Sequence, residues 1–294
     1  MSTSTISESG KSNRTKSVRL SKIIGRIILY LLLITGAVVM LIPFFWMLST
    51  SLKESYQVFS VPPKWIPNPI RWDNYVKTFQ SLPFGKWLGN TVLITGTTII
   101  GTLFSCTVVA YGFARFQAKG KNVLFLVMLA TMMLPSAVTM IPVFYLFKTL
   151  GWVNTFLPLI VPSFFGNAFF IFLLRQFYMS IPTELEDAAK IDGLGTLGIL
   201  WRIIVPLTMP ALTTVAIFQF NGAWNDFMGP LIYLSKPDLY TLSLGINFFK
   251  SENNVQWNYL MAASVVTMLP SLILYFVGQK YFIEGISLSG GIKG

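Results

Sequence analysis

The chain has 294 residues, 53% of them hydrophobic and only 11% charged, with a mean hydropathy of +0.63; this excludes an ordinary soluble domain and points to a protein that crosses a bilayer several times. Lys and Arg number 22 against 11 Asp and Glu, a net +11, and with so few charges their placement matters more than their sum. Histidine is absent and cysteine occurs once, at Cys106, which excludes His ligation, a His general base, a Cys zinc site and an internal disulfide; no catalytic residue and no metal site is expected.

In chain order, residues 1–22 come first, a Ser- and Thr-rich stretch carrying Lys11, Arg14, Lys16, Arg19 and Lys22 against Glu8 alone. It reads as a disordered basic tail at a lipid surface. Six stretches free of Asp, Glu, Lys and Arg follow, at 27–52, 87–114, 122–147, 149–174, 203–225 and 253–279. Each has about the 20 residues or more that a helix needs to cross about 30 Å of hydrocarbon. The expected fold class is an all-α polytopic membrane protein with six transmembrane helices within residues 23–281. The first stretch is longer than a signal-peptide core of about 7 to 15 residues and no small-residue cleavage site follows it, so it is expected to stay in the mature chain.

Orientation follows from the short flanks, because cytoplasmic loops retain Lys and Arg. Arg115, Lys119 and Lys121 lie between the second and third stretches without an acid, whereas Lys148 alone separates the third from the fourth. Both termini are therefore expected in the cytoplasm of a cell-membrane protein. Lys53, Lys64, Arg71, Lys77 and Lys86 argue the other way, but they sit in a long outer loop, 53–86, where charge counts less. Pro62, Pro63, Pro67 and Pro69 make part of that loop extended. A second outer loop, 235–252, follows Lys236, Pro237 and Asp238 with an apolar run longer than a simple turn requires. No internal repeat relates the two halves, which argues against a self-contained transporter of inverted repeats.

Between the fourth and fifth stretches, about residues 176–206, lies more chain than a hairpin needs. Thr183 and Glu186 stand at capping-box spacing, Glu184, Glu186 and Asp187 fill the positive first turn of a short helix, and Gly193 stands where a C-terminal stop belongs. Leu185, Ala188 and Ala189 share a face whose small residues allow close approach. A second segment over 196–205 presents Ile199, Leu200, Trp201 and Ile203 before Pro206 stops it. On physics alone, an amphipathic helix lying on the inner membrane surface accounts for the pattern as well as a partner-binding connector does.

Polar residues inside the apolar stretches are the candidates for a translocation path, since each is costly against lipid. Asp226 is the sharpest; at the outer end of a long fifth helix it could equally be solvated or paired. Asn221 and Asn225 share a helix face, with Trp224 beside them. Amides that bond hydroxyls and an aromatic face suit a sugar, while the same residues could instead join helices. Asn167 and Gln219 are secondary candidates. The 25 Phe and 12 Met are assigned to lipid and packing. Gly10–Lys11–Ser12 has Thr5 where a phosphate-cradling loop requires glycine, so this chain is not an ATPase.

The string ELEDAAKIDG at 184–193, followed by Ile203, Ile204, Val205 and Pro206, closely resembles the EAA loop of ATP-binding cassette importer permeases. Asp187, Ala188, Ala189, Gly193, Ile203 and Pro206 fall on its pattern, with Asp187 for the usual Glu and Val205 for Leu. Residues 177–182, the run Trp224, Asn225, Asp226 and Phe227, and the ending from Lys280 to Ile286 with the terminal glycines are similar to the carbohydrate-importer branch, in particular to the smaller membrane subunit of the maltose type. The resemblance implies a carbohydrate, most simply an oligosaccharide, delivered by an extracytoplasmic binding protein. It implies a second, homologous permease subunit and a cytoplasmic ATPase dimer that binds ATP and Mg; this chain would hold no cofactor and have no contact with nucleic acid. Glu184, Glu186, Asp187, Ala188, Ala189, Asp192, Gly193, Ile203 and Pro206 would then couple to the ATPase. The run around Leu239, Leu242, Leu244 and Gly245 would reach the binding protein, or else form an interfacial cap. Residues 282–294 are expected as a cytoplasmic C-terminal tail, of which 285–294 resemble a tail inserted between ATPase subunits, or are frayed. A stand-alone ion-coupled transporter or channel is the other class, disfavoured by the missing repeats and the scarcity of buried ionisable pairs.

Overall fold

The computed structural model describes residues 8–251 and 254–290, with side chains described over 22–250 and 256–279. It is helical nearly throughout; a single short antiparallel ladder pairs Lys250 with Val255 and Ser251 with Asn254. The helices are α1 (Glu8–Ser51), α2 (Asp73–Ser81), α3 (Phe84–Arg115), α4 (Lys121–Thr131), α5 (Ser136–Thr149), α6 (Leu157–Ile160), α7 (Ala168–Ser180), α8 (Glu184–Ile191), α9 (Thr196–Ile199), α10 (Val205–Leu207), α11 (Met209–Trp224), α12 (Met228–Tyr233), α13 (Leu242–Gly245) and α14 (Trp257–Gly290). Helix α1 runs back through residues 8–22, expected as a disordered tail, and α14 runs on through 282–290. Residues 1–7 and the terminal glycines from Gly291 lie outside the described residues.

Four stretches are long and apolar enough to cross a membrane as single helices or near-continuous ones: Lys22–Ser51, Phe84–Arg115, Leu157–Ser180 and Trp257–Gln279. The third and fifth expected helices are instead bent pairs, α4 with α5 at 98° and Thr196–Leu207 with α11 at 80°. Proline accounts for the first break. Leu134 precedes Pro135, whose ring pushes the residue before it out of helical geometry. Pro206 does not stop its segment as expected. It falls in the first turn of α10, where no N–H is needed, and the π-helical turn Leu200–Ile204 carries the helix on to Leu207. The bend comes at Thr208, whose hydroxyl donates back to the Ile204 carbonyl at 2.8 Å.

The fourth stretch lies later than the charge-free window 149–174 suggested. Gly151 and Asn154 hold positive φ of 70° and 62°, so the chain turns before Leu157 instead of continuing α5. Gly166, at φ 90°, interrupts it again, and the Asn167 side chain restarts it by accepting from the N–H groups of Phe169 and Phe170. Asn167 thereby caps α7.

Helix α3 is the axis of the bundle. Its Arg115 half belongs to a core with Phe170, Leu174, Tyr178, Ile199, Ile204 and Val215, its Phe84 half to a second core with Trp224, Leu242, Phe249 and Leu260. Small residues let neighbours close on it: a Cβ at Gly101 would stand 2.6 Å from Ser163 Oγ, and Ser105 Oγ donates to the Ser163 carbonyl at 2.9 Å. Helix α1 keeps its side chains from Ile27 to Leu41 exposed, an apolar surface of the kind hydrocarbon solvates. At its end Lys53 is fully buried, its Nζ 3.8 Å from the Trp46 ring centroid, and burial pushes its ammonium pKa down. Asn74 donates to the carbonyls of Ser51 and Lys53 and accepts from Asn258, joining α1, α2 and α14.

Candidate functional site

The connector α8 is closed at its C-terminus by local chemistry. Gly193 takes φ 83°, its N–H donates to the Lys190 carbonyl at 3.0 Å, and the Leu194 N–H reaches the Ala189 carbonyl at 2.9 Å. That pair of bonds is the Schellman stop, and the glycine supplies the left-handed residue it needs. The N-terminal end departs from the capping-box expectation. Thr183 keeps helical backbone angles and its side chain makes no capping bond, while its carbonyl accepts from the N–H groups of both Glu186 and Asp187 at 3.0 Å.

Glu186 is drawn elsewhere because stronger partners are within reach. Its Oε1 lies 2.5 Å from Arg115 Nε at the end of α3, with side-chain exposures of 6% and 11%. Tyr111, one turn earlier on α3, donates to Oε2 at 3.2 Å, and Arg115 Nη2 donates to the Ile181 carbonyl at 2.7 Å. Ala189 is buried on the same face. A charge-assisted contact out of water outweighs a neutral cap bond.

The opposite face of α8 is open. Glu184, Leu185, Asp187, Ala188, Lys190 and Asp192 are exposed, and Ile191 is 88% exposed. Asp187 pairs with Lys190 at 2.8 Å on the surface, which raises the Lys190 pKa chiefly through that hydrogen bond. Gly193 and Pro206 are also exposed, and Ile203 is half-buried against the core.

The path candidates divide between two sides of α11. Asn221 and Asn225 lie exposed with Gly222 on one face, their amide groups donating to the Ile217 and Asn221 carbonyls at 3.0 Å. Trp224 is buried behind them and donates from Nε1 to the Thr267 carbonyl of α14. Asp226 is half-buried. Its Oδ1 accepts from the Gly229 N–H at 3.0 Å, starting α12, and its carbonyl accepts from Ser243 Oγ.

Of the run near residue 240, Leu242, Leu244 and Gly245 are buried and Leu239 half-buried. This segment is fastened to the Phe84 end of α3. Trp87 Nε1 donates to the Pro237 carbonyl at 2.8 Å, Asn90 Nδ2 to the carbonyls of Asp238 and Tyr240, and Thr91 Oγ1 accepts from the Leu242 N–H at 2.9 Å. Asp238 and Phe248 stay exposed, the carboxylate 3.0 Å from Lys86 Nζ and the ring centroid 6.0 Å from that of Trp87, both on α3. The α3 partners Tyr111, Arg115, Trp87, Asn90 and Thr91 carried no sequence signal beyond the orientation charge of Arg115. Among the described residues no group of three or more His, Cys, Asp or Glu could hold a metal ion.

A helical bundle of membrane-crossing length, with one short connector whose outer face is uncovered by the other described residues, is that of an integral membrane protein. The chain belongs to the binding-protein-dependent transport system inner membrane components, whose family model matches residues 107–287. It is 32% identical to the probable ABC transporter permease protein YurM of Bacillus subtilis, over 92% of this chain and 90% of that one. It is 34% identical to the arabinooligosaccharides transport system permease protein AraQ of the same organism, over 92% and 96%. In fold it is similar to a chain of a bacterial ABC transporter involved in the import of the acidic polysaccharide alginate, with a TM-score of 0.76, 24% identity and coverage of 95% of this chain and all of that one.

Proposed function

We propose that this chain is the permease subunit of an ATP-driven importer that moves a carbohydrate, an oligosaccharide in the simplest case, from an extracytoplasmic binding protein into the cytoplasm. The observation that carries the reading is the connector: a short, stop-sealed helix with one face locked onto α3 and the other, with Asp187, Ala188 and Ile191, turned outward. A stiff helix of that kind passes on the motion of a partner, where a flexible loop would absorb it. The chain itself performs no catalysis. ATP and Mg belong to a separate cytoplasmic ATPase dimer, and a second homologous permease completes the pore.

In this reading the two bent pairs each count as one crossing, giving six, with both termini cytoplasmic. The outward residues of 184–193, among them Glu184, Asp187, Ala188, Asp192 and Gly193, meet the ATPase together with Ile203 and Pro206, while Glu186 and Ala189 face the bundle. Asn221 and Asn225 offer amides to sugar hydroxyls from the open face of α11, Trp224 bracing them from behind. Asp226 orders the chain at the outer end of that face. The binding protein meets the 235–252 loop through its exposed Asp238 and Phe248, with Leu239, Leu242, Leu244 and Gly245 as the footing.

The test is co-purification of the tagged chain from membranes, followed by an ATPase assay with and without the binding protein and candidate sugars. An ATPase in the preparation whose turnover rises with loaded binding protein is the expected result, and the sugar that gives the rise names the substrate. A lone chain that catalyses gradient-driven flux in liposomes would overturn the reading.

A further inference from the structure

Five ion pairs occur among the described residues, and four are exposed at the surface, where solvent screens them and long side chains lose entropy in holding them. Arg115–Glu186 is the exception. Both side chains are largely out of water, Tyr111 donates to Glu186 Oε2 and Arg115 Nη2 to the Ile181 carbonyl, Arg115 Nε and Glu186 Oε1 meet as opposite charges without hydrogen-bond geometry, and the partners come from the last residue of α3 and the first turn of α8. The backbone of α8 itself packs chiefly on α9. The connector is therefore held to the membrane bundle by side chains more than by backbone proximity, and the buried pair is the charged part of that hold.

Helix α3 continues from Arg115 without a break to Phe84, past α7 and α11, and at its far end it carries the 237–245 segment through Trp87, Asn90 and Thr91. One straight element thus touches both the connector and the opposite loop. A buried ion pair at contact distance is stiff and short-ranged: it transmits displacement as long as both partners are present, and it gives nothing to stability that well-packed apolar residues could not.

We propose that Arg115 and Tyr111 are positioning residues for coupling, forming with Glu186 a strut through which motion of α8 drives α3. This rests on the importer reading above. In it, Glu186 faces its own subunit and Asp187, exposed beside it, is the acid left to face the ATPase.

The experiment uses the whole complex, permease pair with ATPase, in liposomes. Sugar uptake per ATP hydrolysed and stimulation by loaded binding protein are read together with complex yield and basal ATPase rate. Arg115→Ala and Glu186→Gln are expected to lower uptake per ATP by at least about fivefold, the lower end of ordinary coupling between sites, with Tyr111→Phe giving a smaller loss. Because a single buried partner left alone can harm folding, the deciding variant replaces both, Arg115→Met with Glu186→Leu, which keeps volume without charge. Expected is a complex of wild-type yield and basal ATPase rate whose uptake per ATP falls. The charge exchange Arg115→Glu with Glu186→Arg should recover part of the coupling. Wild-type uptake per ATP in the apolar pair overturns the strut while the importer stands. Absence of any ATPase from the wild-type preparation overturns the importer reading itself and the strut with it.

Discussion

The two ends of α3 hold their neighbours by opposite chemistry. At the Arg115 end a buried ion pair with one phenol and one carbonyl fixes α8. At the Phe84 end two neutral donors, Trp87 and Asn90, and one neutral acceptor, Thr91, fix the 237–245 segment, with the Trp87 ring pressed against Gly245 and the Lys86–Asp238 ion pair left exposed to solvent. A charged joint fails sharply when half of it is removed, because the remaining charge is stranded out of water. A joint of neutral bonds and ring packing fails by degrees. The first suits a part that must move with its neighbour as one body, the second a loop that gives.

That contrast breaks most clearly at Glu186. Glu186→Ala leaves Arg115 buried and unpaired and should destabilise the subunit by about 3 to 5 kcal/mol, read as a lowered midpoint in thermal unfolding of the purified complex. Gly193→Pro comes next. Proline cannot take φ 83° and lacks the N–H that reaches Lys190, so the stop should be lost at about 2 to 3 kcal/mol, from the left-handed penalty and one hydrogen bond. Sugar uptake should uncouple from ATP hydrolysis while sugar binding by the soluble protein is unchanged; wild-type uptake in this variant would remove α8 as the connector. Gly195→Ala, at an ordinary φ with open space around it, is the matching control and should behave as wild type.

The neutral end answers more mildly. In Gly245→Ala the new Cβ would stand 2.6 Å from Trp87 Cδ2, overpacking worth about 1 to 3 kcal/mol. Faster proteolysis within 235–249 at an unchanged basal ATPase rate is expected, and an unaltered digest would mean that the ring and the loop part easily. Trp87→Phe keeps an aromatic ring smaller than the buried indole and loses the bond to Pro237, about 1 kcal/mol for the bond with a cavity term added to it, read as a shift in the same melting curve. Smallest is Lys77→Ala, which removes an exposed pair with Asp73 on α2. No shift in that curve outside its scatter is expected, because solvent already screens the pair.

Much of this was legible along the chain. Gly193 as a helix stop follows from sequence because the Schellman bonds join residues five apart or fewer. The charge-free windows gave the apolar stretches but not their bends: the one at Pro135 lies inside an unbroken window, and Pro206, expected to stop its segment, lies within it. The capping box of Thr183 and Glu186 was misleading for the same local reason. Spacing showed that the bond could form, but it could not show that an arginine and a tyrosine would be waiting. Lys53 was read as a loop charge and is instead buried over Trp46, a contact made by the loop folding back on its own helix.

Composition and short-range pattern determined that the chain lives in a bilayer and that it carries a short, stop-sealed helix between two of its apolar stretches. Tertiary structure alone decided which of the neighbouring acids Glu186 and Asp187 is buried, and that Trp224 and Asn221 lie on different sides of α11. It also decided that α3 serves both loops. The physical reason is separation: Tyr111 meets Glu186 across 75 residues and Trp87 meets Pro237 across 150. Contacts at such distances are set by how helices pack, which no local periodicity encodes.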